Sequence, residues 1–343
     1  MSPSPAEPDS ASRNKIVLLV QVFRYNYYMI EPSYFITGGY GLIGSALANA
    51  TDGMVTILTR SDRHKERIKK RGVKVITKDL LDINEGDVKG QDLIYHCAST
   101  VDNYHILSDP FIDIETNIKG TIRLLEACKS LPKKPKIIFF STFFVYGNVY
   151  DQTKESITEG SRTEPLALYS ATKLCAESVI KLYSRLYGIP YVICRLTNVY
   201  SEHEDYDNKK KGALNYLIML AVKGEPLSIY KGGNFYRDYI YLDDVIDAVK
   251  FLERRNVSND TYLIGRGKPV LFREMIDYIH KLTGKRSKIS EIKPPEFHKV
   301  VGITNFVADT SKINQLGWES KIDYKAGIER IVKAYNRLNS VTS

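Results

Sequence analysis

The stretch FITGGYGLIGSALA, Phe35–Ala48, decides the fold. An apolar run ends in a cluster of glycines, and an alanine-rich helical pattern follows at once. Gly39, Gly41 and Gly44 stand at G-x-G-x-x-G spacing, and Gly38, Gly41 and Gly44 at the related T-G-x-x-G-x-x-G spacing. Between a strand and a helix, such a turn lets backbone approach a pyrophosphate, which then rests on the helix N-terminus. Gly38, Gly39, Gly41, Leu42, Ile43 and Gly44 are therefore the expected dinucleotide contacts.

Outward from that turn, short apolar runs alternate with helical patterns. The runs are SYFIT (33–37), MVTILT (54–59), KVIT (74–77), DLIYH (92–96), KIIFFS (136–141) and YVICRL (191–196), with the clearest helical patterns over 110–130 and 168–187. Strands regularly separated by helices predict βαβ units. The expected fold is α/β, a Rossmann-type doubly wound parallel sheet with a smaller C-terminal α/β substrate domain. Residues 30–200 form the expected NAD(P)-binding domain. The polar stretch SEHEDYDNKKKG (201–212) breaks the rhythm, and 201–343 is expected to be mainly substrate-binding, with some segments returning to the Rossmann sheet.

Composition narrows the class. The chain has 343 residues, 43% hydrophobic and 26% charged, as in ordinary globular proteins. Its net charge of +9 comes from lysine-rich runs at 64–71, 133–136 and 209–211. No nucleic-acid motif accompanies them, so they read as solvated faces, and no nucleic-acid partner is expected. Four scattered cysteines without C-x-x-C spacing fit reduced thiols and a cytoplasmic setting. Six histidines show no metal spacing, and no metal is expected. Residues 1–29 read as a disordered or non-native extension, with Met29 an alternative start. Its apolar core, Ile16–Val20, falls far short of the roughly 20 residues that span a bilayer, so no membrane partner is expected.

The second run ends at Arg60, where an acidic residue would mark NAD. A guanidinium there suits a 2′-phosphate, which leans the cofactor, NAD or NADP, toward NADP. Asp62, two residues on, pulls the other way. In LYSATK, Tyr169 and Lys173 are four apart on one helix face. A free tyrosine has a pKa of about 10, and a neighbouring ammonium together with a nicotinamide's positive charge is expected to lower it enough for acid/base work. Ser141 and Thr142 end the fifth run, at the carboxyl edge where open sheets bind ligands; Thr142 is placed to bond the reacting oxygen.

At these residues the chain resembles the extended short-chain dehydrogenases/reductases of the NAD-dependent epimerase/dehydratase family, the nucleotide-sugar enzymes. The resemblance runs from about Ser33 onward through TGGYGLIGS (37–45), KDLLD (78–82), IYHCAS (94–99), NIKGT (117–121), STFFVYG (141–147), YSATK (169–173), RLTNVYS (195–201), YRDYIYLDDV (236–245) and LGW (316–318). It implies Thr142, Tyr169 and Lys173 as the catalytic set, with Tyr169 and Lys173 also touching the cofactor. It places Asp79 and Leu80 beside the adenine, Ala98 along the cofactor, and Asn117 behind the active-site helix. Ser141, Asn198 and Arg237 fall to the substrate, the last two at a nucleotide sugar's diphosphate. A homodimer through 110–130 and 168–187 is the family analogy.

Two departures matter. The family's dehydratases carry Thr-Asp-Glu where this chain has Thr142-Phe143-Phe144, which argues against water elimination, and Ser201-Glu202 replaces the usual Gly-Pro. Asp243 and Asp244 read as capping a helix N-terminus, and His96 as a packed histidine. The expected activity is a nucleotide-sugar epimerase, acting at C4 of an NDP-hexose through a transient ketone. The alternatives are an NADPH-dependent 4-keto-sugar reductase and, last, a non-catalytic NAD(P) binder.

Overall fold

A run of apolar residues buried on both faces belongs in the middle of a layered α/β structure, and the strands show it residue by residue. The computed structural model describes residues 31–100, 105–205, 213–284 and 287–342. The extension expected over 1–29 lies outside the described residues, as does the second half of the polar loop at 201–212. Along β1 (Ser33–Thr37), Tyr34 and Ile36 enter one core and Phe35 the other. The alternation repeats in β2 (Met54–Thr59), with Val55 and Ile57 against Leu58, and in β4 (Leu93–His96), with Tyr95 against Ile94.

With β3 (Lys74–Thr77), β5 (Lys136–Thr142), β6 (Tyr191–Leu196) and the later β11 (Asp260–Ile264), these strands form one seven-stranded sheet. Its order is β11-β6-β5-β4-β1-β2-β3, and every pairing is parallel. The six expected strands are present, with two ends displaced by a residue; β5 runs one residue further and carries Thr142 as its last member. Strand order reverses between β1 and β4, which puts a crevice at their carboxyl ends.

Helices cover both faces. Leu47 and Ala48 of α1 (Leu42–Ala50) pack on one. Leu124 and Leu125 of α2 (Gly120–Lys129), with Ala176 and Ile180 of α3 (Leu168–Tyr187), pack on the other. Each of these fully buried leucine and isoleucine side chains contributes about 1.5–3 kcal/mol of transfer free energy. α2 continues a helical rod whose preceding turns, Ile114–Lys119, have π geometry and carry Asn117. A π turn of this kind rotates one residue out of the α register.

Beyond residue 196 the elements are shorter. β7 (Asn198–Tyr200) pairs in parallel with β10 (Tyr239–Tyr241), β8 (Leu227–Tyr230) with β13 (Ile289–Ile292), and β9 (Tyr236–Arg237) antiparallel with β12 (Val270–Leu271). A separate core joins α4 (Ala213–Lys223), α6 (Phe272–Leu282) and α7 (Tyr324–Thr342) through Ile218, Met275, Ile276, Ile328 and Ile331. The intervening α5 (Leu242–Arg254) returns to the main sheet through Val245, Ala248 and Val249. Asp243 and Asp244 lie in its first turn, beyond the cap residue Tyr241. Neither acts as a cap: Asp244 accepts the amides of Lys321 and Ile322, and Asp243 pairs with Arg330 at 2.9 Å. No described helix is long and apolar enough to cross a membrane.

One buried ion pair fastens α3 to the sheet. Glu177 meets Arg195 of β6 at 2.7 Å, the two side chains 1% and 5% exposed. Arg195 also donates to the Tyr146 hydroxyl (2.8 Å) and the Glu159 carbonyl (3.2 Å), and Ser141 donates its hydroxyl to Glu177. Removing one partner strands the other charge in the core. Glu177→Ala is expected to cost about 3–5 kcal/mol in equilibrium urea unfolding, whereas the paired replacement Glu177→Leu/Arg195→Met should recover most of it. A wild-type midpoint for the single variant would contradict this role.

Candidate active site

A cleft of about 1690 Å³ opens at the carboxyl ends of the strands, running from the glycine turn to the segment 292–304. Its floor is the turn after β1. Gly38 holds φ of +68°, and a Cβ there would lie 2.9 Å from the backbone of Ala98. A Cβ on Gly44 would lie 2.4 Å from the Gly38 carbonyl oxygen. Backbone is thus packed on backbone, and only glycine fits. α1 begins after Gly41 with no side-chain cap and no acidic residue in its first turn. The first amides of α1, unpaired within any helix start, therefore face a ligand side free of negative charge. That is the form a dinucleotide pyrophosphate requires, and the residues present fit it. The Ala98 amide donates to Thr37 Oγ1 at 3.1 Å, locking the loop after β4 to the turn.

At the adenosine end, Arg60, Asp79 and Leu80 line the cleft. Arg60 stands 3.8 Å from the Asp79 carboxylate, and its side chain is 69% exposed. The guanidinium therefore does not present an isolated positive charge. Asp79 also accepts the Leu81 amide at 2.9 Å.

Thr142, Tyr169 and Lys173 converge on the middle of the cleft. The Thr142 and Tyr169 side chains are hydrogen-bonded, and the Phe144 amide donates to Thr142 Oγ1 at 3.2 Å. Burial pushes the Tyr169 hydroxyl up to about 12, partly offset by the bond to Thr142. In the protein alone, without a nicotinamide's charge, loss of hydration is the leading influence on this tyrosine. Burial acts equally on Lys173, pulling it down to about 7. The residue is 2% exposed, and its ammonium sits 4.0 Å from the centre of the Phe139 ring. A lysine so placed is only about half charged near neutrality.

Asn117, turned inward by the π segment, braces this set. It donates to Thr100 Oγ1 (2.9 Å) and to Thr172 Oγ1 (3.0 Å) on α3, while its oxygen accepts from Ser99 (2.9 Å). The loop after β4 and α3 are thereby tied through one amide. His96 is a packed residue, bonded to Thr37 (2.8 Å) and Thr121 (3.0 Å), and burial lowers it to about 3.

The far end holds the remaining candidates. Asn198 lines the cleft and donates to the Asp238 carbonyl at 2.9 Å. Arg237 donates to the carbonyls of Ile303 and Thr304, and burial pulls it down to about 10. Ser141 also reaches the cleft wall, with its hydroxyl engaged by Glu177.

Three features escape a reading of motifs. Asp238, beside Arg237 in YRDY, is fully buried and accepts the amides of Arg266 (2.9 Å) and Gly267 (2.8 Å), so it organises the loop carrying Arg237. Asp205 reaches across to Arg67 (2.7 Å) and His64 (3.3 Å), joining the polar loop to the nucleotide-binding half. Phe144 stands in the cleft wall beside Tyr169. Asp238 and Phe144 each lie within a quoted motif, YRDYIYLDDV and STFFVYG, whereas the role of Asp205 depends on long-range contacts alone. Among the described residues no group of side chains is arranged to hold a metal ion.

Comparison with known proteins agrees with this geometry. Residues 34–265 match the model of the NAD dependent epimerase/dehydratase family. A putative UDP-glucose 4-epimerase of Methanocaldococcus jannaschii is 32% identical over 305 residues, covering 87% of this chain and 96% of that protein. The UDP-glucuronic acid 4-epimerase of Bacillus cereus, solved with UDP-glucuronic acid and NAD, superposes with a TM-score of 0.78 at 26% identity, over 89% of this chain and 99% of that one. The UDP-glucose 4-epimerase of Thermotoga maritima, solved with UDP-glucose, gives 0.80 at 24% identity, over 90% and 99%, and shows the shared fold. The expectation of an NAD(P)-dependent enzyme acting on nucleotide sugars agrees with these similarities.

The Lys173 shift has a measurable consequence. The folded protein releases this proton near 7, whereas the unfolded chain holds it to about 10.5. The unfolded state binds more protons across that window, so stability from this group rises with pH there. The unfolding free energy of wild type relative to Lys173→Met should therefore improve by ~2–3 kcal/mol from about pH 6 to about pH 9. A difference that does not change with pH would show the ammonium to be hydrated.

Proposed function

Because the chain belongs to the NAD dependent epimerase/dehydratase family, we propose that it is a nucleotide-sugar 4-epimerase, inverting the C4 hydroxyl of a UDP-hexose through a transient ketone. The observation carrying this reading is the meeting of Thr142, Tyr169 and Lys173 at the middle of a cleft floored by the glycine turn. Bound over that turn, a nicotinamide dinucleotide would supply the hydride acceptor and donor that inversion needs. Gly38, Gly39, Gly41, Leu42, Ile43, Gly44 and Ala98 hold its phosphates and ribose, and Asp79 and Leu80 flank its adenine.

Tyr169 takes the C4 hydroxyl proton and later returns it. Standing at about 12, it gives up its own proton only against new positive charge. Lys173 supplies that charge when protonated, and an anion forming beside it favours its protonated form. Thr142 holds the reacting oxygen in line with the Tyr169 hydroxyl. Asn198 and Arg237 take the sugar nucleotide's diphosphate, and Asn117 fixes the helix that carries Tyr169 and Lys173. The ketone then turns within the cleft, so that reduction occurs on its opposite face.

NAD is favoured over NADP on two grounds. A 2′-phosphate near Arg60 would also meet the Asp79 carboxylate beside it, and a cycle that returns its hydride consumes no NADPH. We further infer a homodimer through the rod at 111–129 and α3, supported by the exposed apolar side chains of Phe111, Leu182 and Leu186. The four unpaired cysteines support a reducing, cytoplasmic setting.

Tyr169→Phe should lower turnover of UDP-hexoses by about 1000-fold. It should leave unchanged the amount of NAD that mass spectrometry finds released from the denatured protein. Turnover within about tenfold of wild type would remove Tyr169 from the proton path. Release of NADP instead would restore Arg60 as a phosphate ligand.

A further inference from the structure

Phe144 occupies a position where a sugar enzyme has reason to place a hydrogen-bonding group. It follows Thr142 by two residues, in the tight turn Phe143–Tyr146, and its amide bond to Thr142 fixes that turn against the reacting centre. Its ring meets the Tyr169 ring edge-on, with centroids 6.5 Å apart and planes at 74°. Behind it lies Phe143, at 4.3 Å, itself buried against Phe306 at 4.6 Å. The ring is thus braced by Phe143 and lines the cleft beside Tyr169.

We propose that Phe144 selects the sugar: its ring packs against an uncharged C5 arm and excludes hexuronates. This rests on the nucleotide-sugar reading above. With the C4 oxygen at Thr142 and Tyr169, the substituent facing Phe144 belongs to a carbon next to C4. A C3 hydroxyl there would lose a hydrogen bond to a phenyl face, so the C5–C6 arm takes that side. A C6 carboxylate would give up hydration against the electron-rich face of the ring with nothing in return. No cation lies over the Phe144 ring among the described residues. Of the nearby cations, Lys173 sits over Phe139, and Arg237 is held by the carbonyls of Ile303 and Thr304. A methylene, or the methyl of a 6-deoxy sugar, makes ordinary contact there.

The test is calorimetric binding of UDP, UDP-glucose and UDP-glucuronate to the cofactor-loaded enzyme, followed by turnover of both sugars. UDP-glucose should bind about 100-fold more tightly than UDP-glucuronate, and turnover should follow the same order. Phe144→Ser should narrow the ratio at least about tenfold by improving UDP-glucuronate, while Phe144→Leu, which keeps an apolar wall, should preserve it. Thermal melts identify a variant that has failed to fold, and the wild-type ratio stands without either. Equal binding of the two sugars by wild type overturns the Phe144 inference and leaves the epimerase reading intact. Failure to bind UDP or either sugar overturns both.

Discussion

Backbone pressed against backbone at Gly38 is the constraint on which the site depends. The left-handed turn there brings the end of β1 against the loop after β4, with less space than a methyl group needs. Two consequences follow from this contact. The start of α1 is left open to an anion, and the loop at Ala98 and Ser99 is drawn close enough to be tied by Asn117 to α3. Tyr169 and Lys173 are therefore positioned relative to the glycine turn through two short links, although more than 120 residues of chain separate them. The π turn matters because it rotates Asn117 inward without ending the rod, so one amide reaches both the loop and the helix.

The electrostatic state of this assembly follows from its dryness. Tyr169 is raised, Lys173 lowered and His96 lowered, and in each case burial is the leading cause. The protein alone therefore holds its acid/base pair close to neutral, poised to gain charge as a ligand brings charge in. On the proposed reading, proton transfer from Tyr169 then awaits the charge that a bound ligand brings. The buried ion pair of Glu177 and Arg195 holds the same helix to β6.

Much of this was legible in the sequence, and the limits have physical reasons. Strand positions followed from short apolar runs, a local property, and six runs became six strands of the sheet. The glycine turn and the Tyr169–Lys173 spacing were equally local. The seventh strand, Asp260–Ile264, was foreseen only as a return to the sheet, because a short apolar run carries no sign of its partner. The raised Tyr169 of the protein alone was not legible, since sequence proximity to Lys173 says nothing about shared desolvation. The Ser141 hydroxyl was assigned to a ligand, but Glu177, 36 residues away, engages it. Asp243 and Asp244 looked like caps from their place at a helix start, yet both tether the C-terminal segment.

The central claim is a closed cycle at C4, in which hydrogen leaves the sugar and returns to it on the other face. It is tested most directly by giving the purified enzyme UDP-glucose deuterated at C4, with no added cofactor, in ordinary water. The account predicts UDP-galactose with the deuterium still at C4, because nothing in the cycle exchanges that hydrogen with solvent. Product carrying protium at C4, or turnover that stops unless NADPH is supplied in stoichiometric amounts, would contradict it.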